Sequence, residues 1–394
     1  MSVIPGCRII AGRISHPAIV HNARPNWAEV SLGVLRRNFR ALRKLAGVEI
    51  CAVVKADAYG HGARECAGAL QAEGARWFGV TSTAGGLHLR QAGIRGRILL
   101  MTGFWHGDEP EVVRHQLTPA IWEAWHVERL QQAAAKLPDA PVPVHLKVDT
   151  GMGRLGVTSH ELPALLEQLR AADHLQLEGV FTHLASAEVV GAEDAQRQLA
   201  MFEQAIALVR RAGFSPKYLH AANSAALVCL PQARHNLVRP GISLYGYYLP
   251  FTGAAAVQPP PVEPVLSWKT RVISLRDLPQ GSALGYNGTY VTRRASRIAV
   301  LPVGYADGFN RRLSSCGRVI VRGACAPIVG RVSMDISLVD VTEVPGVEIG
   351  DEVILIGARG GLRITAWDHA NAAGTIPYEV LCNISKRVPR KYVE

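Results

Sequence analysis

The chain has 394 residues, with 43 Lys and Arg against 32 Asp and Glu, a formal net charge of +11. That length fits about two domains with a large core, no apolar run is long enough to span a bilayer, and the basic residues are too scattered for a nucleic-acid groove. The 7 cysteines are dispersed without a CxxC pair and the 14 histidines miss spacings such as HExxH, so a reducing compartment is predicted, with neither a disulfide framework nor a metal site.

Residues 1–26 mix polar residues with glycine and proline and read as an extension. They lack the basic, apolar and small-residue succession of a secretory signal, which points to the cytoplasm. From Glu29 to Leu45, apolar positions at helical spacing with basic residues between them predict a helix. The first strand follows as ICAVVK around Val53. It is an unbroken apolar run ending at Lys55 and turn-forming residues, so it reads as a strand buried on both faces. If the chain coils beyond Lys55, Tyr59 shares its face.

Seven more strands are predicted around Val80, Leu99, Ala120, Lys147, Phe181, Leu219 and Val238. The segments between them are rich in Ala, Leu, Gln and Arg, which are helix formers. Eight such units describe a (β/α)8 TIM-type barrel. A doubly wound sheet is the alternative, but no GxGxxG follows the first strand. Prolines and small residues from Thr252 to Val265 mark a linker. Beyond it, short β-branched runs between Gly, Asn and Asp predict a mostly β C-terminal domain, partly helical from Asp368 to Lys386. The predicted organisation is therefore an extension at 1–26, a barrel at 27–255 and a β-rich domain at 256–394.

Polar candidates fall just after the strands, where barrels carry their chemistry. They are Lys55 and Tyr59 after the first; Lys147, Asp149 and Arg154 in LKVDTGMGRLG after the fifth; His183 after the sixth; Asn223 and Ser224 after the seventh; Arg239, Gly241 and Ile242 in RPGISLYG after the eighth. Gly151 and Gly153 let the backbone turn tightly enough to bring Arg154 back over the barrel mouth.

KADAYGHG and KVDTGMGRLG, with these partners in order, resemble the alanine racemases, fold-type III enzymes that use pyridoxal 5′-phosphate (PLP). The resemblance runs from about Asn26 to the C-terminus. It implies that Lys55 links to PLP, that Tyr59, Ser224, Tyr378 and the N–H groups of Gly241 and Ile242 bind its phosphate, and that Asn223 and His183 also contact the cofactor. It places Arg154 and the Met334 backbone N–H on the substrate carboxylate and Tyr305 at the entrance. Lys147 matches a lysine that many relatives carry carbamylated. Arg239 is implied to face the pyridine nitrogen, where a guanidinium can only donate. That weakens the electron sink and favours racemisation over transamination.

Tyr286 matches the family's second base, acting on L-alanine as Lys55 acts on D-alanine and reaching across from the other subunit of a homodimer. The family shows Tyr-Gly here; this chain has Tyr286-Asn287-Gly288. The implied activity is racemisation of L- and D-alanine, supplying D-alanine for peptidoglycan. Rivals are a broad-specificity amino-acid racemase of the same fold, a fold-type III decarboxylase and a non-catalytic PLP-binding protein. The last resembles the barrel alone, so the β domain with Tyr286 and Met334 speaks against it.

Overall fold

The computed structural model describes residues 24–136, 141–253 and 257–394. Most of the predicted extension at 1–26 lies outside the described residues. Eight parallel strands form one sheet: Glu49–Val53, Trp77–Val80, Arg97–Leu100, Thr118–Ile121, Val142–Lys147, Leu175–Phe181, Tyr218–His220 and Leu237–Val238. Each pairs with the next up to the seventh, and the eighth pairs back onto the first. The seam between seventh and eighth is bridged by single bonds, from Arg239 N–H to Ala222 O (2.9 Å) and from Leu219 N–H to Asn236 Oδ1 (2.8 Å). The predicted barrel and all eight of its strands are therefore found. The second strand, Trp77–Val80, is buried at every position, as a sheet covered by helices requires.

The predicted helix at 29–45 begins later. Asn26–Ser31 is a strand, and the helix runs from Leu32 to Ala46. Ser31 caps it by accepting from Val34 N–H, and Gly47, at φ 66°, ends it. Leu35, Phe39, Leu42 and Ala46 form its buried stripe. The helical expectation wrongly took in residues 29–31, because the partners that make this segment a strand lie far away in sequence. Asn26–Ser31 runs antiparallel to Leu266–Arg271 on one side and parallel to Arg390–Val393 on the other. It is thus an inner strand of the second domain's sheet.

That domain is mostly β, as predicted. Its larger sheet also takes in Ala324–Pro327, Arg318–Val321 and Glu352–Arg359, and a smaller one joins Ser274–Leu278, Ser296–Leu301 and Ser337–Asp340. Two helices, Ala366–Ala373 and Pro377–Asn383, follow where the sequence turns helical. The second leans on the barrel mouth through Tyr378, whose ring lies 5.9 Å from that of Tyr59.

Candidate active site

Past the first strand the chain winds the wrong way. Ala56, Asp57, Ala58 and Tyr59 all take left-handed helical angles, φ 50–55° and ψ 39–49°. Each L-residue in that conformation costs about 1–2 kcal/mol. The shared face expected of Lys55 and Tyr59 is found, since both line one cavity of about 460 Å3 at the barrel mouth, but on a turn of opposite hand. Burial, and then the positive charge of Arg154, lower the pKa of the Lys55 amine.

Across the cavity is a cradle of donors. Ser224 Oγ sits 2.8 Å from the Gly241 nitrogen and 3.0 Å from Ser243 Oγ. A Cβ on Gly241 would collide with the Tyr59 hydroxyl, so only glycine permits this approach. The Gly241 N–H, expected to face a ligand, instead donates to Ser224. Ile242 N–H opens the short turn Ile242–Tyr245 and bonds to no acceptor among the described residues. Tyr378 adds its hydroxyl from the β domain. Asn223 lines the cavity too, but its Oδ1 caps the turn after the seventh strand, accepting from Ala225 and Ala226.

The fifth strand alternates, so His145 and Lys147 point the same way, into the barrel. Asp149 Oδ1 accepts from the N–H groups of Gly151, Met152 and Gly153, folding the loop, while Asp149 and Val157 bond back to close it. Arg154 rides on that loop and reaches the cavity. Lys147 is buried against the Phe181 ring. Burial, with Arg239 and Arg154 nearby, pushes its amine down to about 8.

Arg239 is buried and held on four sides. Its Nη1 donates to His220 Nδ1 (2.8 Å) and His220 O (2.9 Å), and its Nη2 to Thr182 O (2.7 Å) and Ala221 O (3.1 Å). All four Nη hydrogens are used, which leaves Nε–H as the uncommitted donor of a residue that lines the cavity. His183 stands among these cations; burial and Arg239 push it down to about 3, so its ring is neutral.

Sequence reasoning passed over what lies beneath Arg239. His220 Nε2 meets His145 Nδ1 at 2.8 Å, His145 Nε2 faces the Glu178 carboxylate at 3.7 Å, and Glu178 pairs with Arg97. The available signal was two histidines and a glutamate at inward positions of adjacent barrel strands.

Tyr286, Tyr305 and Met334 do not join this cavity. They are exposed on the β domain, Tyr286 at 67% and Met334 at 52%. Tyr305 N–H donates to Ser333 O and Ala306 N–H to Met334 O, so those two loops are one unit. Gly304 has no room for a Cβ against the Ser333 and Met334 carbonyls. Asn287 takes φ 60°, a left-handed angle that asparagine tolerates, which lets the departure from Tyr-Gly form a tight turn. Asp335 is held by Arg387 (2.6 Å) and Arg24 (3.3 Å).

A pocket at a barrel mouth that sets a half-buried amine opposite a cradle of donors is that of a two-domain barrel enzyme. The family models for the alanine racemase N-terminal and C-terminal domains match residues 30–249 and 265–392. An alanine racemase of Symbiobacterium thermophilum is 44% identical over 370 residues, 94% of this chain and 97% of its own. The alanine racemase structure from a D-cycloserine-producing Streptomyces lavendulae matches with a TM-score of 0.87 at 33% identity, over 94% of this chain and 97% of that one. The Bartonella henselae alanine racemase, solved with covalently bound pyridoxal phosphate, gives 0.83 at 31%, over 94% and 99%. This chain belongs to the alanine racemase family, and its reaction is the interconversion of L- and D-alanine.

Proposed function

We propose that the cavity holds PLP, with Lys55 as its covalent anchor and as one of two catalytic bases. The residues fit that group. Its phosphate suits the Ser224, Tyr59 and Tyr378 hydroxyls and the free Ile242 N–H, in a cradle that a Cβ on Gly241 would close. Bound there, PLP would supply an electron sink that acidifies the Cα–H bond of alanine.

The chain's own groups would do the rest. Lys55 Nζ, with its lowered proton affinity, takes or returns the Cα proton on one face. Arg154 holds the substrate carboxylate by its fork of donors. Arg239 would face the pyridine nitrogen with a group that can only donate, which would keep that nitrogen unprotonated and make the sink a weak one. His183, held neutral by burial and Arg239, would lie against the ring without adding a positive charge there.

Tyr286 is the second base, and it comes from a second copy of the chain. The support is the exposure of Tyr286 and Met334 outside the cavity of their own chain. A homodimer would place the Tyr305–Met334 unit of each subunit over the other's barrel mouth. The Met334 N–H would then join Arg154 on the carboxylate, and Tyr305 would narrow the entrance. Lys147, carbamylated, would turn from a cation into an anion beside Arg154. The described chain has no helix long and apolar enough to cross a membrane. We place the enzyme in the cytoplasm, making D-alanine for peptidoglycan, with a barrel domain that begins after Ser31, since Asn26–Ser31 belongs to the β domain's sheet.

The observation that carries this reading is Arg239, fixed by four bonds in a cavity shared with Lys55 and the cradle. The test is Cα proton exchange in D2O with added PLP and a panel of L-amino acids, followed by NMR. Exchange confined to alanine, with serine a slow second, supports it. Equal rates on lysine or arginine point to a broad-specificity racemase, and no exchange overturns it.

A further inference from the structure

His61, the unexplained residue of KADAYGHG, and Arg390, near the end of the chain, meet at the left-handed turn. His61 Nδ1 lies 2.9 Å from Ala58 O and 3.0 Å from Tyr59 O. A carbonyl only accepts, so that nitrogen carries the proton and donates to both. Arg390 Nε donates to Gly60 O at 3.0 Å. Its other donors take the carbonyls of Ile384, Ser385 and Val388. The three consecutive carbonyls that leave the turn are thus each claimed by a side chain.

We propose that His61 and Arg390 are positioning residues for Lys55: they lock the left-handed turn Ala56–Tyr59, so that the last strand of the β domain sets where the barrel's lysine points.

The surroundings support it. Gly60 has no room for a Cβ against the Leu381 carbonyl, nor Gly62 against the Tyr392 hydroxyl, so the turn lies flush on the β domain. The Tyr245 ring packs on Tyr59 at 4.9 Å and on His61 at 4.6 Å. Burial pushes the His61 imidazole down to about 4, so it stays a neutral donor. Arg390 itself is anchored by strand pairing, opposite Ala28. A right-handed turn would reverse the rotation from Lys55 to Tyr59 and separate the amine from the phosphate cradle. Four non-glycine residues of the wrong hand persist only where neighbours over-determine them.

The inference rests on Lys55 being the cofactor lysine, and the experiment separates the two. Arg390→Lys keeps the charge but cannot make four directed bonds. His61→Gln keeps amide N–H donors but loses the rigid ring that packs on Tyr245. The full chain is prepared free of cofactor, and hydrogen exchange is read over residues 55–62. PLP uptake is then followed by its visible absorbance, and kcat and KM are measured for alanine. Both variants should melt near the parent temperature but exchange this segment about tenfold faster or more. Uptake should slow, and kcat should fall about tenfold or more while KM moves little. Guanidinium should restore uptake to Arg390→Ala. Parent-like exchange and uptake in both Arg390→Lys and His61→Gln overturn the clamp. If the parent takes up no PLP, the cofactor reading falls, while the exchange result still decides whether the turn is locked.

Discussion

Arg239 donates to Nδ1 of His220 across 2.8 Å, and that one contact orients a column of side chains. A guanidinium cannot accept, so the His220 proton sits on Nε2. His220 then donates to His145 Nδ1, and His145 carries its own proton on Nε2, facing Glu178. Every donor in the column points away from the active site, toward the carboxylate. The positive charge of Arg239 is thereby backed by a negative one, and its Nη atoms have no freedom to turn. Replacing Arg239 by Glu should lower racemisation and raise transamination, because a carboxylic acid can protonate a ring nitrogen. Counting pyruvate formed per racemisation event checks this; an unchanged ratio refutes it.

Lys55→Ala should lose both the cofactor's lysine-linked absorbance and activity. Tyr286→Phe should keep the absorbance and lose roughly 10²–10⁴-fold in rate, the usual worth of one acid–base group. The loss should be greater for proton removal from L-alanine than from D-alanine. Equal parent-like rates in both directions would exclude the two-base assignment.

Gly241→Ala pushes a methyl into the Tyr59 hydroxyl. Overpacking of about 1–3 kcal/mol translates into roughly tenfold to a hundredfold weaker PLP binding. Equilibrium titration of cofactor-free protein measures it, and parent-like affinity in Gly241→Ala would remove the steric argument for the cradle.

The Lys147 amine, lowered to about 8, is increasingly neutral as pH rises through that value. Carbon dioxide adds only to the neutral amine. Crystals grown with bicarbonate at pH 8 or above should show density beyond Nζ, and carbon-dioxide-free protein should regain activity when bicarbonate is added. A bare ammonium under both conditions would remove the carbamate.

His61, His126 and His369 are held neutral by burial, each pushed from 6.5 to about 4. Below pH 6.5 the unfolded chain binds protons that the folded chain refuses, so stability should fall as pH drops from 6.5 to 4. His369 lies in the Ala366–Ala373 helix, and His369→Asn should flatten that slope in urea melts at successive pH values.

The barrel was legible because strands buried on both faces leave unbroken apolar runs, and Lys55, Arg154, Ser224 and Arg239 sit in distinctive strings beside their ends. The strand Asn26–Ser31 was not, because its partners lie more than two hundred residues away and its last residues run into a helical pattern. The handedness after Lys55 was equally hidden. Ala-Asp-Ala-Tyr has no glycine to announce positive φ, and what imposes it is packing against residues 381–392. Nor could spacing show that Tyr286 and Lys55 occupy separate surfaces of one chain.

Asn26–Ser31 is hydrogen-bonded to strands on both sides within the C-terminal sheet. During synthesis it emerges before the barrel and must wait, unpaired, until Leu266–Arg271 has left the ribosome. A fragment beginning at residue 256 would expose the two strands that it normally separates, two open edges inviting aggregation. Such a fragment becomes foldable if Asn26–Ser31 is grafted back through a linker, much as a missing strand is donated in trans.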